Sequence, residues 1–498
     1  MRSVIQAFSY LLAPTAKRFE RAIKSSRQSQ LKVQQKLIDQ LKRCEYGKKY
    51  QIRSIEDWHK LPVVSYGEIA PWIARSKGNA NVISSEEILF YEPTSGSSGP
   101  KKQIPYTAKL RQSFNHLFCI WAWDLIRNGP TFSTGKIYFS ITPSFSKDKT
   151  TGTNDDSDYL DPWLRWILSP FLVTAPTAKT PEAFQQQLVK TLLLAEALEI
   201  ISIWSPSFLT AQLKYIQKNA AQLQKLLKGK ISKERSHLLT LSPIPYSQLW
   251  PHLKLISCWD STTAADSAKT LRSHFPNTLV QGKGLLATEA PITVPILAAK
   301  GHVPLVDQIY FEFEDDSGQY LELHQLTVGK TYELIISQMG GLYRYRIGDF
   351  VRVTHLFHQT PCLEFCGRGK NVSDMVGEKL PVDFVSKVID QLKLPEASYQ
   401  TLVPMQQPDR HYLLLLDRCD RDPSRLAIEL ETLLCQSFHY KLARQLNQLE
   451  AAKVRVYPTI SEQLTKHQTS LGRKLGDIKH SKLLCDHPFD SLCHESPY

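Results

Sequence analysis

Residues 91–106 read Tyr91-Glu-Pro-Thr-Ser-Gly-Ser-Ser-Gly-Pro-Lys-Lys-Gln-Ile-Pro-Tyr106, and they lie between two apolar runs. The part from Thr94 to Lys102, here called the Ser/Gly loop, holds four Ser and Thr hydroxyls, two glycines and two lysines. Gly96 and Gly99 have no Cβ, so the backbone can take left-handed conformations there and turn its N–H groups inward. With the hydroxyls and the mobile charge of Lys102, this loop has the groups needed to hold a polyphosphate.

Two well-known loops do not fit this spacing. A Walker A loop has four residues between its first glycine and a Gly-Lys-Ser/Thr end, but Gly96 and Gly99 are closer together and the lysines precede Gln103. A nucleophile elbow has the order Gly-x-Ser-x-Gly, whereas this loop has Gly-Ser-Ser-Gly. A flexible Ser/Gly linker is the remaining alternative, but Pro100 and the flanking strand-like runs count against it. The spacing favours a loop that binds nucleotide phosphates.

The composition is that of a large globular chain. It has 498 residues, of which 42% are hydrophobic and 22% are charged, which predicts two or three structural units, or one large domain with a smaller one. No run approaches the roughly 18 uninterrupted apolar residues of a membrane-spanning helix. Residues 1–18 lack a clear signal-peptide core and are expected to form a docked helix. We therefore predict a cytoplasmic protein without stable membrane insertion.

The net charge of +13 raises the possibility of nucleic-acid binding. However, the basic residues are spread along the chain, and no helix-turn-helix or zinc-finger spacing accompanies them. Attraction of small anionic substrates such as ATP is the simpler interpretation. The nine cysteines are dispersed and odd in number, and Cys362 and Cys366 have no second pair at a zinc-binding distance. Reduced, structural thiols are expected.

Short apolar runs alternate with helical patterns after residue 85, which predicts an α/β architecture. Strands are expected at residues 136–140, 199–204, 253–259 and 278–281, and helices at 208–228 and 265–274. An antiparallel β unit is predicted from about residue 305, with strands at 308–314, 331–337, 342–349 and 362–368. Beyond residue 370 the pattern predicts helices at 382–392 and 423–442 and strands at 411–416 and 453–457. A domain boundary is therefore expected near residue 371.

Four further segments carry groups suited to nucleotide chemistry. Glu289 follows Thr288 at a strand end and offers a hard oxygen ligand for Mg²⁺, although a solvated turn is the alternative. Asp349 could accept the ribose hydroxyls, or it could pair with Arg344, Arg346 or Arg352. Arg368 could hold ribose or phosphate with two hydrogen bonds. The last segment is a Gly- and Lys-rich loop at residues 472–480.

Together these segments resemble the acyl-adenylate-forming superfamily, and most closely the plant auxin amido synthetases (the Gretchen Hagen family) and their bacterial relatives. The resemblance covers nearly the whole chain and is carried by Tyr46-Gly47, Glu92-Pro-Thr-Ser-Gly-Ser-Ser-Gly99, Ala287-Thr-Glu289, Gly340-Gly-Leu-Tyr-Arg-Tyr-Arg-Ile-Gly-Asp349, Phe365-Cys-Gly-Arg368 and Gly377-Glu-Lys-Leu380. The run from Gly340 to Asp349 is the most specific of these motifs.

The resemblance implies an α/β fold of the acyl-adenylating, firefly-luciferase-like architecture. Residues 1–370 would form a large N-terminal adenylating domain of mixed sheets and a β unit, and residues 371–498 a small, mobile α+β C-terminal domain. It implies an ATP-dependent acyl-acid amido synthetase, which uses ATP and Mg²⁺ to activate a carboxylic acid as acyl-AMP, releases pyrophosphate and transfers the acyl group to an amine or amino acid. Nucleic acid is not an expected partner, and the oligomeric state is not predicted.

Motif matching assigns residues to these steps. Lys102 and a C-terminal lysine would be catalytic, with Lys479 the better match and Lys474 its rival, and Glu289 would bind Mg²⁺. The nucleotide would be held by Thr94, Ser95, Gly96, Ser97, Ser98, Gly99, Thr288, Asp349 and Arg368. One feature departs from the superfamily, which has an aromatic residue that stacks on adenine before the Thr-Glu pair, where this chain has Leu285 and Leu286. Adenine would then pack on aliphatic side chains or on the backbone near residues 261–263.

Two alternative functions share parts of this chemistry. An acyl-CoA or other thioester-forming ligase would use the same acyl-AMP with a thiol as acceptor. A nucleotide-binding relative with impaired catalysis is the second alternative, and the missing aromatic residue is its support. The identity of the acid is not predicted, because tryptophans such as Trp121 and Trp204 could line an apolar pocket or belong to the core.

Overall fold

The structure is a computed structural model that describes residues 2–93, 102–139, 162–174, 181–261, 264–368, 372–373, 378, 380–405, 410–445, 449–470 and 481–484. The chain divides into two compact units, one ending at Cys366 and one beginning at Gly367. Within the described residues, no helix is both long and apolar enough to cross a membrane. The seven cysteines in this part of the chain are free thiols.

Helices open the first unit and pack their apolar faces into its core. They are α1 (Arg2–Lys24), α2 (Ser26–Leu41), α3 (Glu45–Lys49) and α4 (Tyr66–Ser76). The start of α4 is set by a capping box, in which Ser65 and Glu68 satisfy each other's backbone N–H groups. Phe19, Leu37 and Ile69 are buried on these helices, and α1 is the docked helix expected at the N-terminus.

A hairpin and a long helix follow. The hairpin consists of β1 (Ile88–Pro93) and β2 (Gln103–Thr107), and it is followed directly by α5 (Ala108–Asn128). The side chain of Thr107 accepts a hydrogen bond from the N–H of Leu110 and so caps α5. The strands flanking the Ser/Gly loop are therefore antiparallel neighbours, and their last pair joins Pro93 to Gln103.

Four parallel strands form the next layer, in the order β3-β4-β5-β6. The strands are β3 (Lys136–Phe139), β4 (Leu198–Ser202), β5 (Leu255–Cys258) and β6 (Leu279–Gly282). The connecting helices are α6 (Pro162–Leu168), α7 (Pro181–Leu194), α8 (Pro206–Lys218), α9 (Ala220–Leu226), α10 (Lys233–Leu238), α11 (Tyr246–Leu249) and α12 (Ala265–His274). The single helix predicted at 208–228 is wrong, because Asn219 ends α8 and separates it from α9.

The β unit predicted after residue 305 is confirmed as a five-stranded sheet in the order β12-β11-β13-β14-β15. Its strands are β11 (Tyr310–Glu314), β12 (Tyr320–Glu322), β13 (Thr331–Gln338), β14 (Leu342–Phe357) and β15 (Thr360–Arg368). Two short two-stranded sheets precede it, built from β7 (Leu286–Ala287), β8 (Ala290–Pro291), β9 (Thr293–Ile296) and β10 (Gly301–Pro304). Parallel and antiparallel sheets thus occur in one chain, as the predicted α/β fold requires.

The second unit is built around a three-stranded sheet of β18 (Gln400–Met405), β19 (His411–Leu416) and β20 (Lys453–Val456). The remaining elements are β16 (Val372–Ser373), β17 (Leu380–Pro381), α13 (Val382–Gln391), α14 (Pro423–Leu434), α15 (Phe438–Gln445) and α16 (Ile460–Ser470). One helix was predicted over 423–442, and this is wrong. A turn closed by the hydrogen bond from Ser437 N to the Leu434 carbonyl separates α14 from α15.

Candidate active site

Lys102 is held where the Ser/Gly loop enters β2. Its Nζ donates a hydrogen bond of 3.4 Å to the phenol oxygen of Tyr345 and lies 5.7 Å from the centre of the Tyr66 ring. The phenol oxygen of Tyr66 also accepts a hydrogen bond of 2.8 Å from the N–H of Gln103. Two tyrosines, one at the start of α4 and one in β14, therefore orient this lysine. Thr94, Ser95, Gly96, Ser97, Ser98 and Gly99 lie outside the described residues.

The turn that carries Thr288 and Glu289 is tied to the base of the Ser/Gly loop. The hydroxyl of Tyr106, in β2, donates a hydrogen bond of 2.7 Å to the Thr288 carbonyl oxygen. The next carbonyl, that of Glu289, accepts a hydrogen bond of 3.1 Å from Nε2 of Gln338. Glu289 itself is only 6% exposed, so the solvated turn considered as the alternative is excluded. Buried backbone bonds of this kind hold the turn in one position.

The Gly340-Gly341 hairpin between β13 and β14 packs against the base of the Ser/Gly loop and is connected to the Glu289 turn. A Cβ at Gly340 would lie 2.6 Å from the Pro105 carbonyl oxygen and 2.7 Å from Oε1 of Gln338. Any larger residue at position 340 would push these groups apart. Gln338 accepts a hydrogen bond from the N–H of Gly340, so the one side chain connects the hairpin to the Glu289 turn.

Both arginines of this motif are held in ion pairs, and Arg344 is buried. Arg344 donates to Glu312 in a buried ion pair with nitrogen–oxygen distances of 2.9 to 3.1 Å, and its Nη1 donates to the Leu61 carbonyl at 2.7 Å. Arg346 forms ion pairs with Glu314 and Glu333. The buried pair of Arg344 ties β14 to β11, and breaking it would be strongly destabilising, whereas the pairs of Arg346 are partly exposed.

Asp349 lies in a bulge of β14. Arg346 is opposite Ile335 and Phe350 is opposite Glu333, so three residues of β14 face one residue of β13. Gly348 has a φ of +84°, a conformation that other residues rarely adopt. Bulges of this kind redirect side chains near active sites, and Asp349 is 2% exposed. Its role as a ribose ligand stays a prediction.

The alternative partners considered for Asp349 are all engaged with other carboxylates. Arg344 and Arg346 bind glutamates of β11 and β13. Arg352 forms an ion pair of 2.5 Å with Glu364. Among the described contacts, these pairs account for each of the three arginines.

A cleft opens beyond the carboxyl ends of β5 and β6, the end of an open α/β sheet at which ligands bind. It is lined by Trp259, Asp260, Ser261, Lys283, Gly284, Leu285, His302, Leu363 and Phe365. Leu285, noted above in place of the usual aromatic residue, is buried at its edge. Asp260 accepts a hydrogen bond of 3.2 Å from Arg272. Burial lowers the pKa of His302, so its imidazole is neutral near pH 7.

Three predicted site residues are described incompletely or not at all. Arg368 ends β15, directly after Gly367, whose φ is +129°, but its side chain is outside the described part of the structure. Lys474 and Lys479 lie in residues 471–480, which are also outside it. Sequence reasoning missed Tyr66 and Gln338. No local pattern marks Tyr66, whereas Gln338 directly precedes a motif that was recognised.

Comparisons with known proteins identify the family of this chain. Residues 15–280 match the model of the GH3 family N-terminal domain, and residues 302–368 match that of the GH3 family central domain. The chain is 23% identical over 481 residues to indole-3-acetic acid-amido synthetase GH3.2 of Arabidopsis thaliana, covering 80% of this chain and 86% of that protein. It is 22% identical over 436 residues to 4-substituted benzoates-glutamate ligase GH3.12 of the same plant, covering 76% and 75%.

Solved structures show the same fold. AtGH3.15 acyl acid amido synthetase in complex with 2,4-DB superposes with a TM-score of 0.82 at 19% identity, over 97% of this chain and 95% of that one. A 2-hydroxyisobutyryl-CoA ligase in the postadenylation state matches with a TM-score of 0.55 at 14% identity, over 95% and 91%. The predicted acyl-adenylating architecture is confirmed. With more than half of its length matched by the family's N-terminal domain, this chain belongs to the GH3 family.

Proposed function

We propose that this protein is an ATP-dependent acyl-acid amido synthetase. It activates a carboxylic acid as acyl-AMP with release of pyrophosphate, and it then transfers the acyl group to an amine or amino acid. One observation carries the proposal beyond family membership. The base of the Ser/Gly loop, the Glu289 turn and the Gly340 hairpin are joined by the hydrogen bonds of Tyr106 and Gln338. The groups proposed to bind the phosphates and the metal are thus held together.

The adenylation reaction requires positive charge near the departing pyrophosphate. A carboxylate is a poor electrophile, and adenylation gives it a good leaving group. Lys102 and the N–H and hydroxyl groups of the Ser/Gly loop would stabilise the charge that develops as pyrophosphate leaves. Because Tyr66 and Tyr345 orient Lys102, its ammonium would not need to be reorganised during the reaction.

Glu289 is the proposed Mg²⁺ ligand. Its carboxylate is buried and its backbone is anchored by Gln338, which suits a hard cation that binds through one carboxylate and the substrate phosphates. When bound, Mg²⁺ would supply charge neutralisation for the triphosphate. The contribution of the protein is to hold the Glu289 turn at the base of the Ser/Gly loop.

The nucleoside would be bound by Thr288, Asp349 and Arg368. Asp349 would accept hydrogen bonds from the ribose hydroxyls. The cleft beyond β5 and β6 would take the adenine, with Leu285 and Phe365 as apolar walls and the backbone at Ser261 along one edge. Aliphatic packing would then replace the aromatic stacking seen in the superfamily.

We further propose that residues 1–370 form the adenylating domain and residues 371–498 a mobile C-terminal domain. Lys479, with Lys474 as its rival, would reach the α-phosphate only in the adenylating arrangement. The protein would act in the cytoplasm.

Pyrophosphate release, measured across a panel of carboxylic acids with ATP and Mg²⁺, tests this function. Amino acids or CoA are added in a second stage. Amide formation with an amino acid supports the proposal, whereas formation of a thioester with CoA would favour the ligase alternative, with which the fold is shared. ATP binding without pyrophosphate release for any acid would indicate the catalytically impaired relative.

A further inference from the structure

The outward side of α1 is apolar in its first half. Its inward side packs onto α5, where Leu12 lies in an apolar cluster with Cys119. On the outward side, Val4, Tyr10 and Leu11 are 52%, 74% and 61% exposed. Val4 and Leu11 are two turns apart and Tyr10 is next to Leu11, so the three side chains share one stretch of helix surface. Single exposed apolar residues are ordinary, whereas a group of them favours a surface that meets a partner.

The same side of α1 becomes basic after Pro14. Lys17, Arg21 and Lys24 are exposed, and they follow Tyr10 and Pro14 at intervals of three and four residues. This spacing places them on the outward side as well. Nε of Arg21 donates a hydrogen bond of 3.3 Å to the Lys17 carbonyl oxygen. Among the residues that the structure describes, these three basic side chains form no ion pair with a carboxylate.

The positive charge of the protein is concentrated around α1. Residues 1–38, which form α1 and most of α2, contain eight basic residues and a single acidic residue, Glu20. More than half of the net charge of +13 therefore comes from this short part of the chain. A concentrated positive field of this kind attracts a polyanionic partner. The basic residues are Arg2, Lys17, Arg18, Arg21, Lys24, Arg27, Lys32 and Lys36.

An exposed tryptophan lies in the region where α1 begins. A Cβ at Gly135 would lie 3.1 Å from Cε1 of Phe171 and 3.8 Å from Cδ1 of Ile5, so the start of α1 and the segment after α6 meet at this glycine. Trp166 precedes Phe171 by five residues, roughly 8 Å along a helix, and its side chain is 80% exposed. The apolar half of α1 thus has a second large exposed apolar side chain in its vicinity.

Apolar and basic groups together favour a membrane surface over a nucleic acid. A nucleic acid is bound mainly through its phosphates, and it would leave the aliphatic side chains of Val4 and Leu11 in water. A bilayer interface takes aliphatic side chains into the boundary of the acyl chains and attracts Lys and Arg to anionic head groups. Tyrosine and tryptophan are enriched at the same depth, which matches Tyr10 and Trp166.

We propose that the outward side of α1 binds reversibly to a membrane surface that contains anionic lipids. This surface, here called the α1 outer stripe, consists of Val4, Tyr10, Leu11, Lys17, Arg21 and Lys24. The apolar residues enter the interface, and the basic residues contact the lipid phosphates and carboxylates. The protein stays peripheral, because the inward side of α1 remains packed on α5. This inference does not depend on the proposed function.

Sedimentation of the full chain with lipid vesicles tests the proposal. The vesicles contain phosphatidylcholine alone, or phosphatidylcholine and phosphatidylserine in equal parts. The wild-type protein should bind the vesicles with phosphatidylserine at least about tenfold more tightly, because basic residues near an anionic leaflet add to the affinity. Tyr10→Ser combined with Leu11→Ser should weaken this binding by about tenfold, since two apolar side chains lose their burial.

A charge variant and two controls complete the design. Lys17→Gln, Arg21→Gln and Lys24→Gln together should weaken binding to the vesicles with phosphatidylserine by about tenfold or more, and added salt should have the same effect on the wild-type protein. The first control, Ile428→Ser, changes a side chain that is 69% exposed on α14. The second replaces three exposed lysines around α9 with Gln and so removes the same charge elsewhere; they are Lys218, Lys225 and Lys228. Both controls should bind like the wild-type protein.

Four results would overturn the proposal, provided that the variants keep the wild-type melting temperature. The first is equal or absent binding to the two kinds of vesicle. The second is an equal loss of binding in the α1 and α9 charge variants, which would indicate an effect of net charge alone. The third is normal binding by the Tyr10 and Leu11 double variant. The fourth is self-association in gel filtration that this double variant abolishes, because a second copy of the chain would then cover the α1 outer stripe.

Discussion

The hydroxyl of Tyr106 donates a hydrogen bond of 2.7 Å to the carbonyl oxygen of Thr288. This bond joins the strand that leaves the Ser/Gly loop to the turn that carries Glu289, although the two segments are far apart in the chain. Gln338 continues the connection to the Gly340 hairpin. The position of the proposed metal ligand relative to the base of the loop is therefore set by two side chains.

Tyr106→Phe should weaken this connection. The change leaves the Thr288 carbonyl without that donor, so we expect the free energy of unfolding to fall by about 1–2 kcal/mol. Pyrophosphate exchange should fall by about tenfold, as expected when a catalytic turn is misplaced. Tyr91→Phe is the control, because Tyr91 lies on the same hairpin and its hydroxyl forms a hydrogen bond of 2.9 Å with Ser76 of α4. An equal loss of exchange in both variants would contradict a specific role for Tyr106.

Lys102→Ala should reduce adenylation by roughly 10²–10³-fold, the usual effect of losing one preorganised electrostatic group. The fold should be retained, since Lys102 is half-buried at the base of the loop and its described contacts are with the Tyr345 hydroxyl and the Tyr66 ring. Lys109→Ala, which removes an exposed ion pair with Glu86, provides the control. Near-normal pyrophosphate exchange in the Lys102 variant would contradict a catalytic role for the Ser/Gly loop.

Asp349→Asn is expected to weaken ATP binding, whereas Glu312→Gln is expected to lower stability. The first replaces an acceptor-only group with one acceptor and one donor, so ATP binding should weaken while the melting temperature stays close to wild type. The second breaks the buried pair with Arg344, which should cost about 3 kcal/mol or more in stability. Calorimetric titration with ATP and thermal unfolding distinguish the two. Unfolding of the Asp349 variant would instead show that Asp349 has a structural role.

Lys479→Ala should block formation of acyl-AMP but not its use. Given chemically prepared acyl-AMP and the amine, the variant should still form the amide at a substantial rate, because the groups for that step lie elsewhere. Lys474→Ala is the matched control on the same loop. Loss of both half-reactions in the Lys479 variant, or selective loss of adenylation in the Lys474 variant, would reverse the assignment.

Stability should fall below about pH 6.5, in part because of His302. Burial lowers the pKa of this imidazole despite the nearby carboxylates of Asp260 and Glu364, so the unfolded chain takes up a proton that the folded protein does not. The free energy of unfolding should then decrease by up to about 1.4 kcal/mol per pH unit from this residue. Urea unfolding at pH 7 and pH 5 tests this. In His302→Gln the free energy of unfolding should differ less between pH 7 and pH 5. An unchanged difference would show that His302 does not contribute to the pH dependence.

Local patterns predicted much of the fold. The strand at residues 411–416 and the helix at residues 265–274 match β19 and α12, since alternation and helical periodicity are local properties. The errors occurred where one residue ends a helix within an apolar pattern, at Asn219 and near Ser437. Such breaks depend on hydrogen bonds and packing that periodicity does not record.

The sequence by itself determined the family, because Gly340-Gly-Leu-Tyr-Arg-Tyr-Arg-Ile-Gly-Asp349 and the Ser/Gly loop are continuous motifs whose spacing is readable along the chain. Only the tertiary structure decided that Tyr66 orients Lys102, that Gln338 anchors Glu289, and that Arg344 serves the core. It also brought Ser202, Ser257 and Gln281 into one row. The physical reason is that strand register and side-chain contacts between distant segments arise from packing of the whole core, and no short stretch of sequence encodes them.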